Sequence, residues 1–276
     1  MCFPFPQIPE KLTSNEKSIV EYIARHHEEF LFMTIGQLAD SLHISEATIS
    51  RFARHVGCED FKHLKQVVMD QTLQKGPAQK LANTLMTGDG KLLHHWIEQQ
   101  QYYLQKTLEL LDETEFDRAV NALASAKRVF IHAKNASQSL AQLLHFRLRR
   151  IGIDVHLIPS GGTEMLEGLV SIQPDDLVVL FGLSKVSSEV QAILDYQNEI
   201  GYSSIMLTGR LYSSPNQHAD INLFVYRGEE NEYHSMSTPS AVIDALVIAL
   251  SDRLGSNAVA NLNNVKKLKN KYGKYL

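Results

Sequence analysis

Apolar residues recur at helical spacing throughout the first 75 residues of the chain. In the segment 34–42, Ile35, Leu38 and Leu42 fall at positions i, i+3 and i+7, which places them on one face of a helix. The pattern predicts an all-helical N-terminal region. The predicted helices cover 14–30, 34–42, 45–56 and 60–73, with Ser14, Thr34 and Ser45 as N-caps and Gly57 as C-cap of the third.

A Gly76-Pro77 step ends this region, because proline cannot continue a helix that precedes it. Helical spacing returns over 79–112, with an interruption expected at 87-TGDG-90. We therefore interpret 77–114 as a helical connecting arm. Its apolar side chains are expected to pack on the rest of the chain or on a second copy: Leu81, Leu85, Leu92, Trp96 and Ile97.

From about residue 115 the pattern changes, because short β-branched runs now alternate with helical segments. This alternation is typical of βαβ units, with a parallel sheet between two layers of helices. The chain is thus predicted to be α/β overall, with an all-α domain over 1–76, an α/β domain over 115–255 and a solvated basic tail over 256–276. The predicted strands cover 128–133, 153–158, 176–182, 203–209 and 221–226, and the predicted helices 116–126, 137–151, 163–172, 187–200 and 238–254.

Composition excludes several other classes of protein. The chain has 276 residues, of which 44% are hydrophobic and 21% charged, as in ordinary globular domains. Its longest apolar runs, such as 177–183, are far shorter than the ~20 residues that span a membrane, and its first residues lack the features of a signal peptide. Two cysteines are too few for a disulfide framework or a zinc finger. We expect a soluble cytoplasmic protein with no membrane partner, no cofactor and no metal ion.

Net charge does not identify a nucleic-acid binder. The whole chain carries a formal charge of −4. Within residues 1–76, eight basic and ten acidic side chains leave a charge of −2. An argument for DNA binding must therefore depend on where the charges lie.

The segments 34–42 and 45–56 have the layout of a helix-turn-helix, joined by the short turn 43–45. Short polar groups begin the exposed face of the second helix, and Arg51 and Arg54 follow them, as in a recognition helix that contacts bases and phosphates. A generic helical hairpin with solvated arginines remains an alternative. The candidate DNA-contacting residues are Ser45, Thr48, Ser50, Arg51, Arg54, Lys62 and Lys65.

In the α/β region, the turns from strand to helix are candidate anion sites, because backbone N–H groups and the helix dipole favour negative charge there. The turns 134–137, 183–189 and 209–215 are rich in hydroxyl and amide groups, which suit a sugar phosphate. Ordinary serine-capped turns are the alternative. The candidate ligand-binding residues are Asn135, Ser137, Ser184, Lys185 and Ser187.

The run 12–66 resembles the N-terminal domain of RpiR-family transcriptional regulators. It has the opening L-T-x-x-E at 12–16, the I-x-x-L-A of the first helix at 35–39, S-x-A-T-I-x-R-F at 45–52, and G followed by F-K-x-L-K at 57–65. The resemblance implies binding to double-stranded operator DNA.

Residues from about 115 to 255 resemble the SIS domain, the sugar-isomerase fold that this family carries behind its helix-turn-helix. The loops G-x-G-x-S and S-x-S-G-x-T-x-E of that family fall on 133–137 and on 182–189. The resemblance implies a phosphorylated sugar as effector. Three glycines of these loops are replaced, by Ala133, Asn135 and Lys185, which removes backbone freedom next to a phosphate.

We interpret the chain as a transcriptional regulator that controls carbohydrate or amino-sugar genes in response to a phosphorylated sugar. A homodimer or a higher homo-oligomer is expected, since a single helix-turn-helix makes few DNA contacts. No catalytic residues are assigned, because no Glu/His pair has a suitable spacing. The alternatives are a phosphosugar isomerase with an accessory helical domain and a DNA-binding dimer whose ligand pocket is vestigial.

Overall fold

The computed structural model describes residues 5–7, 9, 11–72, 76–85, 91–211 and 214–275, so the predicted interruption at 87–90 lies outside them. The chain divides into two compact units, one formed by residues 1–97 with 228–234 and one by 98–227 with 235–276. The helices up to the boundary are α1 (Ser14–Arg25), α2 (His27–Phe32), α3 (Ile35–Leu42), α4 (Glu46–His55), α5 (Phe61–Thr72), α6 (Pro77–Leu85) and α7 (Leu92–Leu110), the last of which contains the boundary.

The first helix begins and ends differently from the prediction. Thr13 is its N-cap rather than Ser14, because Thr13 and Glu16 form a capping box in which each side chain bonds the backbone of the other residue. The predicted helix 14–30 is also broken at His26, whose backbone is not helical, so that α2 starts at the next residue.

The predicted helix-turn-helix is confirmed. Thr34 and Ser45 cap α3 and α4, and each accepts a hydrogen bond from a backbone N–H three residues ahead. The turn reverses the chain at His43, which has a φ of 53°. After α4 the C-cap is Val56, and the predicted Gly57 follows one residue later with a φ of 85°.

A common core holds these helices together. Its fully buried members come from α1 to α5 and include Ile19, Phe30, Leu38, Phe52 and Leu64. Since α3 and α4 present their apolar faces to this core, their opposite faces point to solvent.

The second unit is built on a parallel sheet, and the predicted strands are confirmed. All neighbouring strands pair in parallel, in the order β2-β1-β3-β4-β5. From β1 the chain goes first to β2 on one side and then to β3 on the other side of β1, so the topological switch point of the sheet lies between β1 and β3. Open α/β sheets bind ligands at such a switch point, at the carboxyl ends of the strands. The strands are β1 (Val129–His132), β2 (Val155–Ile158), β3 (Leu177–Gly182), β4 (Ser203–Thr208) and β5 (Ile221–Phe224).

Helices cover both faces of the sheet, which is why its central strands are apolar on both sides. Val179 and Phe181 of β3 belong to one core cluster, whereas Val178 and Leu180 belong to the cluster on the other face. The helices of this unit after α7 are α8 (Glu113–Ser125), α9 (Gln138–Arg150), α10 (Gly162–Leu169), α11 (Ser188–Ile200), α12 (Ser237–Leu254) and α13 (Ser256–Tyr272).

Two segments near the C-terminus differ from the sequence-based expectation. The predicted tail is a helix over most of its length, α13, which buries Ala258 and bonds the Ile151 carbonyl through Asn261 at 3.4 Å. The described lysines of α13 are exposed. Residues 228–234 contribute to the first unit, where Tyr233 N–H donates to Thr84 Oγ1 of α6 at 2.9 Å. Among the helices described, none has the length and apolarity that a membrane span requires.

Candidate functional site

The solvent-facing side of α4 carries most of the candidate DNA contacts. Ser45 and Arg54 are exposed, whereas Thr48 and Ser50 are half-buried. The Ser45 hydroxyl accepts from Thr48 N–H at 3.2 Å, so this hydroxyl caps the helix as well as lying at its exposed end.

Arg51 lies back along its own helix. Its Nε donates to the Ala47 carbonyl at 3.2 Å and its Nη2 to Thr48 Oγ1 at 3.5 Å, while the side chain stays exposed. Both contacts lie on the exposed surface, where water can replace them, so the guanidinium is able to extend towards a base edge at small cost. Arg54, one turn further on, points to solvent on the same exposed side.

The two candidate lysines of α5 differ in burial. Lys62 is exposed, as a phosphate contact requires. Lys65 is only 8% exposed, and its Nζ donates to the carbonyls of Leu31 and Met33, each at 3.2 Å. Lys65 therefore holds the C-terminal end of α2, and the expectation that it contacts DNA is corrected on this geometry. Burial, together with the nearby charge of Lys62, lowers its pKa.

The candidate ligand loops lie at one edge of the sheet. β1 pairs with β3, so the turn that contains Asn135 and Ser137 is adjacent to the turn that starts at Ser184. Both turns lead into helices, α9 and α11. The fold thus brings the predicted ligand residues to the carboxyl ends of the strands at the switch point.

The replaced glycines do not all change the backbone. Asn135 has a φ of 53°, the left-handed conformation that glycine favours and that asparagine adopts more readily than most residues. Lys185 is not among the described residues with positive φ, and its side chain is exposed. Ala133 is buried at the end of β1. The loop after β1 therefore keeps the conformation for which a glycine would be expected at position 135.

Two arginines from other loops fix the turn after β3. Arg227 Nη2 donates to the Leu183 carbonyl at 2.8 Å and to the Ser184 hydroxyl at 2.9 Å. Arg210 Nε donates to the Ser184 carbonyl at 2.8 Å. Arg210 lies in the candidate turn 209–215 but is not among the predicted ligand residues, and Arg227 lies outside all three candidate turns. The available signal was an arginine soon after each of the predicted strands 203–209 and 221–226.

The loops around the switch point also contain an ion pair. Lys134 Nζ lies 2.5 Å from Glu189 Oε1, which joins the turn after β1 to the start of α11. The Lys134 ammonium, with backbone and Ser187 hydrogen bonds, lowers the pKa of Glu189 to about 2. Ser187 also caps α11 by accepting from Val190 N–H at 3.3 Å. Its hydroxyl is therefore already engaged on both sides.

His132, the last residue of β1, is fully buried, and neither ring nitrogen has a hydrogen-bond partner in the described structure. Burial lowers its pKa, which keeps the imidazole neutral near pH 7.

An open groove of about 490 Å³ lies at the opposite edge of the sheet, beside Ser203 and Ile221, which begin β4 and β5. None of the candidate ligand residues lines it.

The geometry defines a class of two-domain proteins, in which a helix-turn-helix domain precedes a parallel α/β domain with serine-rich loops at its switch point. A model of the helix-turn-helix domain of the rpiR family matches residues 6–75, and a SIS domain model matches residues 122–249. The chain belongs to the RpiR family of helix-turn-helix regulators.

Individual relatives agree with this assignment. An uncharacterized HTH-type transcriptional regulator of Caldanaerobacter subterraneus is 25% identical over 275 residues, covering 95% of this chain and 94% of the relative. The Vibrio vulnificus NanR protein complexed with ManNAc-6P has a similar fold, with a TM-score of 0.57, 19% identity and 94% of each chain covered. The sugar isomerase domain of an RpiR transcription factor from Sphaerobacter thermophilus covers 64% of this chain and 99% of its own, with 24% identity and a TM-score of 0.60.

Proposed function

We propose that this chain is an operator-binding transcriptional regulator whose SIS domain binds a phosphorylated sugar. The observation that carries the proposal is the combination, in one chain, of an exposed recognition helix and a serine loop held by two arginines at the switch point of a SIS sheet. The helix-turn-helix domain binds DNA through residues of α4 and α5, and the SIS domain responds to the concentration of the sugar phosphate.

On the DNA side, the proposed contacts are the exposed or half-exposed groups Ser45, Thr48, Ser50, Arg51, Arg54 and Lys62. Short hydroxyl side chains near the start of α4 suit base edges and phosphates, and the arginines suit guanine or phosphate oxygens.

DNA binding is tested with a labelled DNA fragment from upstream of the protein's own gene. Arg54→Ala removes an exposed charge from the proposed interface and is expected to weaken binding by about 1–3 kcal/mol if Arg54 contacts a base. Arg25→Ala is the matched control, because Arg25 is an exposed arginine of α1 that pairs with Glu21 at 2.6 Å. Equal loss in both variants, or none in Arg54→Ala, contradicts the assignment of α4.

On the effector side, a phosphoryl group accepts hydrogen bonds from hydroxyl and backbone N–H groups. Ser184 and Ser137 are proposed donors, with Asn135, Ser187 and the exposed Lys185 around them. The structural relative complexed with ManNAc-6P supports an amino-sugar phosphate as the first ligand to try.

Effector binding is tested by measuring operator affinity with and without N-acetylmannosamine 6-phosphate and a panel of hexose 6-phosphates. One of them is expected to change affinity roughly 5–150-fold, the usual range of coupling between two sites. Ser184→Ala should reduce this response and leave effector-free DNA binding intact. If no sugar phosphate binds, the effector part of the proposal is wrong and a DNA-binding dimer with a vestigial pocket remains.

We further propose that the SIS domain is not catalytic. A general base works best with a pKa near the operating pH, whereas ion pairing lowers that of Glu189 to about 2, and His132 is inaccessible to solvent. Proton NMR of sugar phosphates incubated with the protein should show no isomerisation. Formation of an aldose–ketose mixture would support the isomerase alternative instead.

Self-association is the last part of the proposal. Several apolar side chains in the described part of the arm are exposed: Leu92, Leu93 and Ile97 are 47%, 76% and 50% exposed. Such a surface favours burial against a second copy. Sedimentation at micromolar concentration should give a dimer or a larger species, and a monomer would contradict it.

A further inference from the structure

Arg227 is a buried cation at the ligand edge of the sheet. It follows β5 by three residues, and its side chain is only 6% exposed. Both of its hydrogen-bond acceptors, the Leu183 carbonyl and the Ser184 hydroxyl, are neutral. Its Nε is buried and has no partner.

The charge of this guanidinium is not compensated within the described part of the chain, where no carboxylate forms an ion pair with it. Burial lowers the pKa of Arg227 to about 10, so the group is still protonated at neutral pH. An isolated buried charge is costly unless it serves a partner. By contrast, Arg128 of the same unit is bonded twice to the buried Asp176.

The hydrogen bond to Ser184 has a direction. Arg227 can only donate, so Ser184 Oγ accepts, and the single hydroxyl proton of Ser184 remains available to another acceptor. Ser184 is exposed, and Arg210 fixes its carbonyl at 2.8 Å. The serine is thus held as an outward donor next to a buried positive charge.

We propose that Arg227 is a positioning residue for an oxyanion ligand: it orients the Ser184 hydroxyl as a donor and supplies the buried positive charge that selects the dianionic form of a phosphoryl group. The inference rests on the proposed function, since it concerns the same effector loop. It assigns the charge preference of that loop to a residue outside the loop, 43 positions further along the chain.

The test is isothermal titration of the full chain with N-acetylmannosamine 6-phosphate and, separately, inorganic phosphate, at about pH 5.5 and 7.5. A phosphomonoester loses its second proton near pH 6, so for the sugar phosphate the two conditions compare the monoanion with the dianion. The variants are Arg227→Gln, which removes the charge, and Arg227→Lys, which keeps it. The matched control is Arg150→Gln, which removes an exposed arginine from the last turn of α9, outside the ligand loops.

Wild-type protein should bind more tightly at the higher pH. Arg227→Gln should weaken binding about tenfold or more at the higher pH and flatten this pH dependence, because a charge-assisted contact is lost. Arg227→Lys should restore the pH dependence in part, and Arg150→Gln should retain it. A folded Arg227→Gln variant with wild-type affinity and pH dependence overturns the inference.

A second measurement covers the case in which Arg227→Gln does not fold. In wild-type protein, the Nε–H resonance of Arg227 should shift when the sugar phosphate is added, since the field at this unpartnered group changes. An unchanged resonance in protein that binds the ligand overturns the inference and leaves the proposed function intact. If wild-type protein binds no phosphate and no sugar phosphate, the effector part of the proposed function fails, and this inference fails with it.

Discussion

Lys62 and Lys65 lie one turn apart on α5, yet the structure predicts opposite consequences for their loss. Lys62 is exposed, whereas Lys65 is buried against the end of α2. Replacing each by methionine keeps the apolar stem and removes the ammonium group. We expect Lys62→Met to weaken DNA binding with little effect on folding, and Lys65→Met to destabilise the N-terminal unit.

The magnitudes follow from the contacts. Lys65 Nζ donates two hydrogen bonds of 3.2 Å to carbonyls at the end of α2, where a cation also interacts favourably with the helix dipole. Hydrogen bonds from a charged donor contribute about 1.5–3 kcal/mol each, but methionine regains part of this by burial. We therefore expect a loss of about 2–3 kcal/mol for Lys65→Met and less than about 0.5 kcal/mol for Lys62→Met.

Two assays separate the effects. Amide hydrogen exchange of α1 to α5 in the full chain reports the stability of the N-terminal unit. Operator binding at several salt concentrations reports phosphate contacts, and losing one contact should reduce the slope of log K against log salt by about 0.9. Lys62→Met should change the salt slope alone, and Lys65→Met the exchange alone. If Lys65→Met lowers the salt slope and leaves the exchange unchanged, the placement of Lys65 is refuted.

The SIS unit offers further tests. Asp176→Asn should destabilise it by about 2–4 kcal/mol, since Asp176 is 2% exposed and bonded twice to Arg128. Burial alone would raise the pKa of Asp176, but the hydrogen bonds to Arg128 and Gln173 lower it; wild-type protein should therefore lose this stability as the pH falls below about 4, and the variant should not. Gly209→Ala should lower the free energy of unfolding by about 1–3 kcal/mol and weaken effector binding, because a Cβ there would lie 2.2 Å from the Leu183 carbonyl oxygen. Gly161→Ala should behave like wild type, because a Cβ there would lie 3.6 Å from its nearest neighbouring atom. Thermal unfolding at several pH values checks Asp176→Asn against wild type. Thermal unfolding and titration with the effector check the two glycine variants, and equal behaviour of these two variants would contradict this packing.

The architecture was predictable because it depends on local patterns. Apolar spacing over 34–42 and 45–56, with Thr34 and Ser45 as caps, is enough to define a helix-turn-helix, and both caps are confirmed. Likewise, alternating β and α patterns define a parallel sheet, since each strand must be covered on both faces. These features depend on residues within a few positions of one another.

The candidate ligand residues follow from the same logic. Turns at strand ends are visible in the sequence, and a parallel sheet brings the ends of all its strands to one edge. Asn135 illustrates what the sequence leaves open: its replacement of a glycine suggests a lost conformation, whereas the backbone there still has a φ of 53°.

Tertiary structure decided what depends on distant neighbours. Thr13 and Ser14 are both able to cap a helix, and Thr13 does so with Glu16, whose carboxylate also bonds His55 from 39 positions away. Two similar lysines of α5 acquired different roles because only one faces the end of α2.

Arg227 is the clearest case, because nothing in its local sequence distinguishes it from a solvated arginine. Only the pairing of β3 with β4 and of β4 with β5 places it beside Leu183 and Ser184. The sequence by itself determined the two domains, the recognition helix and the edge of the sheet where a ligand would bind, since short-range periodicity and capping encode them. The burial of individual charges was decided only by the folded chain, because desolvation and hydrogen bonding depend on residues that the sequence keeps far apart.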